Sequence, residues 1–113
     1  METNDIEKGK AVILVEITEY VPNAILSKTI IRKLTGNVTV TSVDAGEELY
    51  EKASPFDVFV QIIDGSAQLL LSDKEINLHL GEGVLIPAHS RHSFNASQKF
   101  KMISTIFKSG YED

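Results

Sequence analysis

The sequence predicts an all-β domain, either an antiparallel sandwich or a barrel. About seven or eight short segments rich in β-branched residues follow one another, and Gly, Pro and Asn residues separate them. No segment sustains the 3.6-residue hydrophobic period of an amphipathic helix. A chain of 113 residues has the size of one domain, and its composition is that of a globular protein.

The strands are predicted from local patterns. VTVTSV at residues 38–43 alternates Val with Thr, which is typical of a strand with two different faces. Asp64-Gly65 is a hairpin signal, so the strand after it is predicted to pair with the strand before it. Residues 46–55 are predicted to form a loop. The predicted strands are 27–34, 38–43, 56–64, 67–72, 75–80, 84–86, 92–96 and 100–107.

Residues 1–26 are predicted to be an N-terminal segment, followed by a barrel domain of residues 27–113. The sequence AVILVEITEYV at residues 11–21 fits either a short helix or a strand, because so short a stretch does not establish a period. Pro22-Asn23 ends it.

The segment 56–65 is apolar on both faces. Val58, Val60 and Ile62 share one face, whereas Phe59 and Ile63 share the other. A strand with one wet face would not show this pattern, so we expect the outer face to be covered as well. The N-terminal segment or a second subunit could cover it. A homodimer is the usual symmetric solution and is the predicted state.

Composition excludes several classes of protein. The absence of Cys excludes disulfides, thiolate metal sites and Cys nucleophiles. A net charge of −5 offers no basic surface for nucleic acid. No apolar run is long enough to span a membrane, and residues 1–10 have no apolar stretch of the secretory type. We therefore predict a cytoplasmic protein with neither nucleic-acid nor membrane partners.

Two segments, residues 46–65 and 81–95, together resemble the two motifs of small single-domain cupins, the RmlC-like barrels. The second motif is well matched, with Gly81, Pro87 and His92 at the expected spacing. The first motif is matched in its spacing but not in the residue types at its metal-ligand positions. The resemblance implies an antiparallel jelly-roll β-barrel, here with a short N-terminal helix or strand, whose pocket holds a metal on three His and one Glu.

The resemblance places the four metal-ligand positions on Lys52, Ser54, Val58 and His92. A divalent transition metal needs three or four converging N, O or S donors, and one imidazole does not supply them. We therefore predict no cofactor. The alternative is one divalent transition metal held by His92 with two unusual ligands, His89 and Glu51.

One hypothesis for the pocket is that an ammonium group replaces the metal. Lys52 and His92 would bind a small anionic or carbonyl-bearing ligand between them. The alternative is that Lys52 pairs with Glu51 or Asp57 at the barrel rim. The predicted lining residues are His92, Lys52, Ser54, Val58, Phe94, Met102 and Ser104.

The predicted function follows from this site. We expect a cupin-fold protein that lacks the usual metal centre and acts as a small-molecule-binding barrel or as a structural or regulatory one, without catalysis. No catalytic residue is predicted. The alternative is a small metal-dependent cupin enzyme of the dioxygenase, isomerase or decarboxylase type that uses His92 with non-standard ligands.

Overall fold

The structure, a computed structural model, describes residues 6–110, which form nine strands and one 3-10 turn. The predicted all-β antiparallel class is confirmed. In these residues no helix has the length and hydrophobicity that a bilayer span requires. In chain order the elements are the turn Leu14–Glu16, β1 (Ile25–Lys33), β2 (Gly36–Val43), β3 (Glu48–Glu51), β4 (Val58–Gly65), β5 (Ala67–Leu71), β6 (Lys74–Leu78), β7 (Gly83–Ile86), β8 (His92–Asn95) and β9 (Phe100–Phe107).

The strands form two antiparallel sheets. The five-stranded sheet has the order β1-β2-β9-β4-β7, and the four-stranded sheet has the order β3-β8-β5-β6. Apolar residues that alternate along the strands form one continuous core cluster. Val60, Leu69, Phe94 and Phe100 are fully buried in it. This core fixes the strand registers, because a slip of one residue would turn each apolar side chain to the wrong face.

The predicted loop over residues 46–55 is partly wrong, because it contains strand β3. This edge strand pairs with β8 from Glu48↔Asn95 to Glu51↔His92. It carries only one apolar residue that packs against the core, Leu49. Four residues with one such position give no alternation that a sequence pattern could reveal.

The predicted hairpin at Asp64-Gly65 is also wrong. Strand β5 pairs with β6 and β8 in the four-stranded sheet, whereas β4 pairs with β7 and β9 in the other. A register shift between Ile62 and Asp64 bends β4, and Gly65 then adopts a left-handed φ of 70°. The same Asp-Gly chemistry that closes hairpins therefore redirects this chain from one sheet to the other.

Residues 14–20 lie on the outer face of the five-stranded sheet. We call residues 14–20, which begin with the 3-10 turn, the strap. The buried ammonium of Lys101 donates to the carbonyls of Val15 and Thr18, the latter at 2.7 Å. The Tyr20 hydroxyl donates to the Asp64 carboxylate at 2.6 Å. These bonds satisfy polar groups that would otherwise face an apolar surface.

The strap supplies part of the coverage expected for this face. Val40 lies opposite Ile103 on the neighbouring strand; both are buried but lie outside the core cluster. Strand β1 begins at Ile25, two residues before the predicted boundary at residue 27. The 3-10 turn stands where a short helix or a strand was expected.

Candidate functional site

A buried imidazole and a carboxylate meet at the end of the four-stranded sheet. His92 opens β8 and lies opposite Glu51, the last residue of edge strand β3. The Nε2 atom of His92 is 3.0 Å from Oε1 of Glu51, and Nδ1 is 3.2 Å from the Ser90 carbonyl oxygen. Only 3% of the His92 side chain is exposed. The ring is therefore held at both nitrogens, which fixes its orientation.

The environment of His92 favours its protonated form. The hydrogen bond with Glu51 raises the pKa of His92; burial opposes this increase, and the Ser90 carbonyl adds to it. In the charged state both ring nitrogens donate, one to the carboxylate and one to the carbonyl. The pair thus keeps the Glu51 carboxylate turned toward the histidine.

A cleft of about 530 Å³ opens beside this pair. Three strands, β3, β5 and β8, and the residues that continue them contribute its walls. The cleft lies at the surface, because its walls include the exposed side chains of Tyr50 and Leu70. The lining residues are Tyr50, Glu51, Lys52, Ala53, Leu70, Ser72, Arg91, His92 and Ser93.

Lys52 lies just after β3, is exposed, and lines the cleft with residues of the outer face. Leu49 packs against the core, so within β3 Glu51 shares its inward parity, whereas Tyr50 has the outward one. The family resemblance instead puts Lys52 at a ligand position inside the barrel. In the structure Lys52 and His92 line the same cleft, but the cleft is at the outer rim.

Two cations of the cleft, Lys52 and Arg91, form no ion pair within the described part of the chain. Glu51 pairs with His92 rather than with Lys52. Asp57 accepts a hydrogen bond from the backbone N–H of Ala88 at 2.8 Å. Within residues 6–110, Lys52 is thus not paired with Glu51, whose carboxylate contacts His92 instead.

The other predicted lining residues lie away from the cleft. Val58, Phe94 and Met102 belong to the hydrophobic core. Ser104 lies opposite Val60, and is buried. The Ser54 hydroxyl accepts a hydrogen bond from the N–H of Phe56 at 3.0 Å, within the loop before β4.

The residues present do not fit the metal centre that the resemblance implies. Among residues 6–110 no group of three or more His, Asp or Glu side chains could hold a metal ion. His89 is exposed, has a φ of 66°, and donates its N–H to the Ser54 carbonyl at 2.6 Å. It does not line the cleft with His92 and Glu51, so these three residues do not form a joint ligand set.

Sequence reasoning missed six members of the cleft: Tyr50, Ala53, Leu70, Ser72, Arg91 and Ser93. They come together because β8 lies between β3 and β5 in the sheet. The register of β3 against β8 would have revealed Tyr50 beside Ser93, since residues directly opposite each other share a face. That pairing cannot be read from the chain, because β3 has no recognisable strand pattern.

Glu51→Gln is expected to lower the pKa of His92, because the variant loses the carboxylate whose hydrogen bond and charge stabilise the imidazolium. The measurement is an NMR titration of the His92 ring protons. Glu82→Gln is the matched control, since Glu82 contacts a different, exposed histidine, His79. If the pKa of His92 is the same in both variants as in the wild type, the Glu51 carboxylate does not raise it.

The same variant has a defined effect on stability. The folded-state pKa of His92 is raised, so its contribution is fully present below the unfolded-state pKa and is lost as pH rises through the folded-state pKa. The difference in free energy of unfolding between wild type and Glu51→Gln should therefore be largest in mild acid. It should shrink as pH rises through the folded-state pKa of His92.

Comparisons with known proteins place the chain among small β-barrel proteins. A conserved protein of unknown function from Streptococcus pyogenes is 27% identical, with a TM-score of 0.87 and 96% of each chain covered. A cupin superfamily protein from Desulfitobacterium hafniense is 21% identical, with a TM-score of 0.86 over 96% of this chain and 100% of that one. No protein-family profile and no curated protein matches.

A third similar structure is larger. A cupin 2 conserved barrel domain protein from Leptotrichia buccalis is 29% identical, with a TM-score of 0.78. The match covers 83% of this chain but only 46% of that protein. The agreement in strand arrangement with all three structures extends over most of the chain described above.

Proposed function

We propose that this chain, a small cupin-fold domain with the jelly-roll architecture of its structural relatives, binds a small anionic or carbonyl-bearing molecule without the usual metal centre and without catalysis. The observation that carries the proposal is the convergence of Lys52, Arg91 and the His92–Glu51 pair on one cleft. The binding group is a pair of cations at the outer rim of the barrel.

The charge distribution supports an anionic ligand. The protein carries a net charge of −5, yet Lys52 and Arg91 stand together in one cleft. Lys52 and Arg91, with His92 against Glu51, leave the cleft with an excess of positive charge, and such a cleft attracts anions. A guanidinium also offers paired N–H donors that match a carboxylate. Among the described residues, no carboxylate pairs with either cation.

His92 supports the site indirectly. Its Nε2 atom already contacts Glu51, and its side chain is almost completely buried, so we do not assign it a direct bond to the ligand. Its role is to hold the Glu51 carboxylate on the inner side. Glu51 is thereby kept from neutralising Lys52, which follows it in the sequence. His92 is thus a positioning residue.

The metal-dependent enzyme is the weaker proposal. Glu51 and His92 supply two donors in contact, which is the observation in its favour. A catalytic transition metal usually has three protein ligands, and no third His, Asp or Glu joins these two within residues 6–110.

Lys52→Ala is expected to weaken binding of small carboxylates and inorganic phosphate by about tenfold, the factor that corresponds to the loss of one charge-assisted contact of about 1.4 kcal/mol. Dissociation constants from NMR shift titrations of the wild type and the variant provide the measurement. Lys28→Ala, an exposed lysine on β1 of the other sheet, is the matched control.

Unchanged affinity of Lys52→Ala for every anion tested would remove the proposal. In parallel, melting temperatures are measured with Mn²⁺, Fe²⁺, Ni²⁺ and Zn²⁺, and we expect no increase with any of them. An increase that disappears in His92→Ala would favour the enzyme instead.

A homodimer remains the proposed state of assembly. The strap covers only part of the outer face of the five-stranded sheet. Leu85 and Phe107 stay exposed there, on either side of the half-buried Phe59 in the sheet order. A symmetric contact between two copies would bury both side chains.

A further inference from the structure

We propose that the ligand of the cleft is an amphiphilic carboxylate, whose flat apolar body lies on Tyr50 and Leu70 and whose carboxylate binds Lys52 and Arg91. This inference rests on the proposed function and adds the chemical class of the ligand. It places the molecule on the outer face of the four-stranded sheet.

A row of three residues crosses three strands of this sheet, with apolar side chains at its two ends; we call it the apolar row. Tyr50 of β3 lies opposite Ser93 of β8, which lies opposite Leu70 of β5. The three therefore share the outer face, with neighbouring strands about 4.8 Å apart. Tyr50 is 75% exposed and Leu70 is 38% exposed, so both offer apolar surface to solvent. Between them the small Ser93 leaves a depression that a flat group could fill.

A cationic row runs parallel to the apolar one. Lys52 and Arg91 each lie one residue beyond the last strand pair, Glu51↔His92. Both are exposed and line the cleft together with Tyr50 and Ser93. The N–H of Ser72 donates to the Arg91 carbonyl at 2.9 Å, which joins the end of β5 to this row. Two residues along a strand separate the rows by about 7 Å. An acidic group attached to an apolar body spans that separation.

The residues on the other side of Tyr50 from Lys52 determine at which end of the site the ligand anion lies. Glu48 lies opposite Asn95, whose side-chain amide donates to Gln68 at 3.3 Å, so all three share the outer face. A hydrogen bond with the Glu48 carboxylate raises the pKa of the Tyr50 hydroxyl. A carboxylate, an aromatic ring and an ammonium thus follow one another along β3 and the residue after it, at Glu48, Tyr50 and Lys52. A ligand anion is repelled at the Glu48 end and attracted at the Lys52 end.

The charge of the site favours a single carboxylate over a polyanion. Lys52 and Arg91 are the cations that line the cleft, and Glu51 stands beside them on its wall. A monoanion matches this balance, whereas a polyanion would bring excess charge close to Glu51. The planar guanidinium of Arg91 also fits the planar carboxylate group.

The test uses three probes that separate the two rows. 3-Phenylpropionate carries both the apolar body and the carboxylate, acetate carries only the carboxylate, and 3-phenylpropan-1-ol carries only the body. We expect 3-phenylpropionate to bind about tenfold more tightly than acetate, because roughly 60 Å² of apolar contact corresponds to that factor. The alcohol should bind more weakly than the acid. Dissociation constants come from NMR titrations of the full chain.

Two variants assign the contacts to the cleft. Tyr50→Ala should reduce the preference for 3-phenylpropionate over acetate severalfold. Leu85→Ala, an exposed apolar residue on the other sheet, is the control and should change neither affinity. Because Tyr50 is exposed, its replacement leaves the core intact, and a circular dichroism melt verifies the fold.

The outcomes separate this inference from the proposed function. Equal affinity for acetate and 3-phenylpropionate, with both weakened by Lys52→Ala, would overturn the amphiphilic ligand and keep the anion site. A preference for 3-phenylpropionate that Tyr50→Ala does not reduce would also overturn it. If Lys52→Ala alters the binding of no anion, both proposals fall.

Discussion

Phe94→Ala is expected to reduce the free energy of unfolding by about 3–5 kcal/mol, the largest effect of any single truncation in this core. The Phe94 side chain is fully buried at the centre of the four-stranded sheet, where β8 lies between β3 and β5. Its ring lies 6.1 Å from that of Phe100 across the core and 6.0 Å, edge to face, from the ring of His92. Removing it loses apolar burial and leaves a cavity between the two sheets.

Urea denaturation followed by circular dichroism measures this loss. Phe107→Ala is the matched control, because Phe107 is 49% exposed, and its loss should be about 1 kcal/mol or less. If Phe94→Ala does not fold, Phe94→Leu should still give a clear loss of roughly 1–2 kcal/mol, since its cavity is smaller. A loss at Phe94 no greater than that at Phe107 would show that the core is not packed as described.

Gly65→Ala is expected to destabilise the protein by about 3 kcal/mol or more. Gly65 has a φ of 70°, where residues with a Cβ are strained, and it stands at the passage from β4 to β5. A Cβ there would lie 2.1 Å from the backbone carbonyl oxygen of Lys99 and 3.0 Å from the Cα of Phe100. Both are main-chain atoms, so relief requires moving β4 or β9.

The control separates the steric clash from the backbone strain. Gly46 has a similar φ of 88°, but a Cβ there meets nothing within 4 Å. Gly46→Ala should therefore cost only the strain of the left-handed region, about 1–2 kcal/mol. Thermal melts and urea titrations of both variants give the comparison. Equal losses at the two positions would contradict the close approach of Gly65 to β9.

The fold was predictable where strands bury one face or both. Residues 38–43 alternate in polarity, and residues 58–63 of β4 are apolar except for Gln61. Both segments are strands in the structure. Which strands pair with each other was harder to predict from the sequence. Asp64-Gly65 carries a local preference for a turn, but the core decides to which sheet the next strand belongs.

The candidate site was predictable only in part. Lys52 and His92 stand out through the family resemblance, and they do line one cleft. Arg91 could not be identified, because its role depends on a register across β3 and β8 that no local pattern encodes. The side of the sheet on which Lys52 lies depends on the same register.

Because the strap lies on one sheet and not on the other, the residues on the two outer surfaces of the barrel differ in how freely they can be substituted. On the five-stranded sheet, changes at Lys101 or Thr18 would break contacts that close the fold. Tyr50, Lys52 and Arg91 on the other sheet are exposed and carry little of the folding energy. During evolution such positions can accept new side chains at small cost in stability, so ligand preference can diverge among related barrels while the scaffold persists.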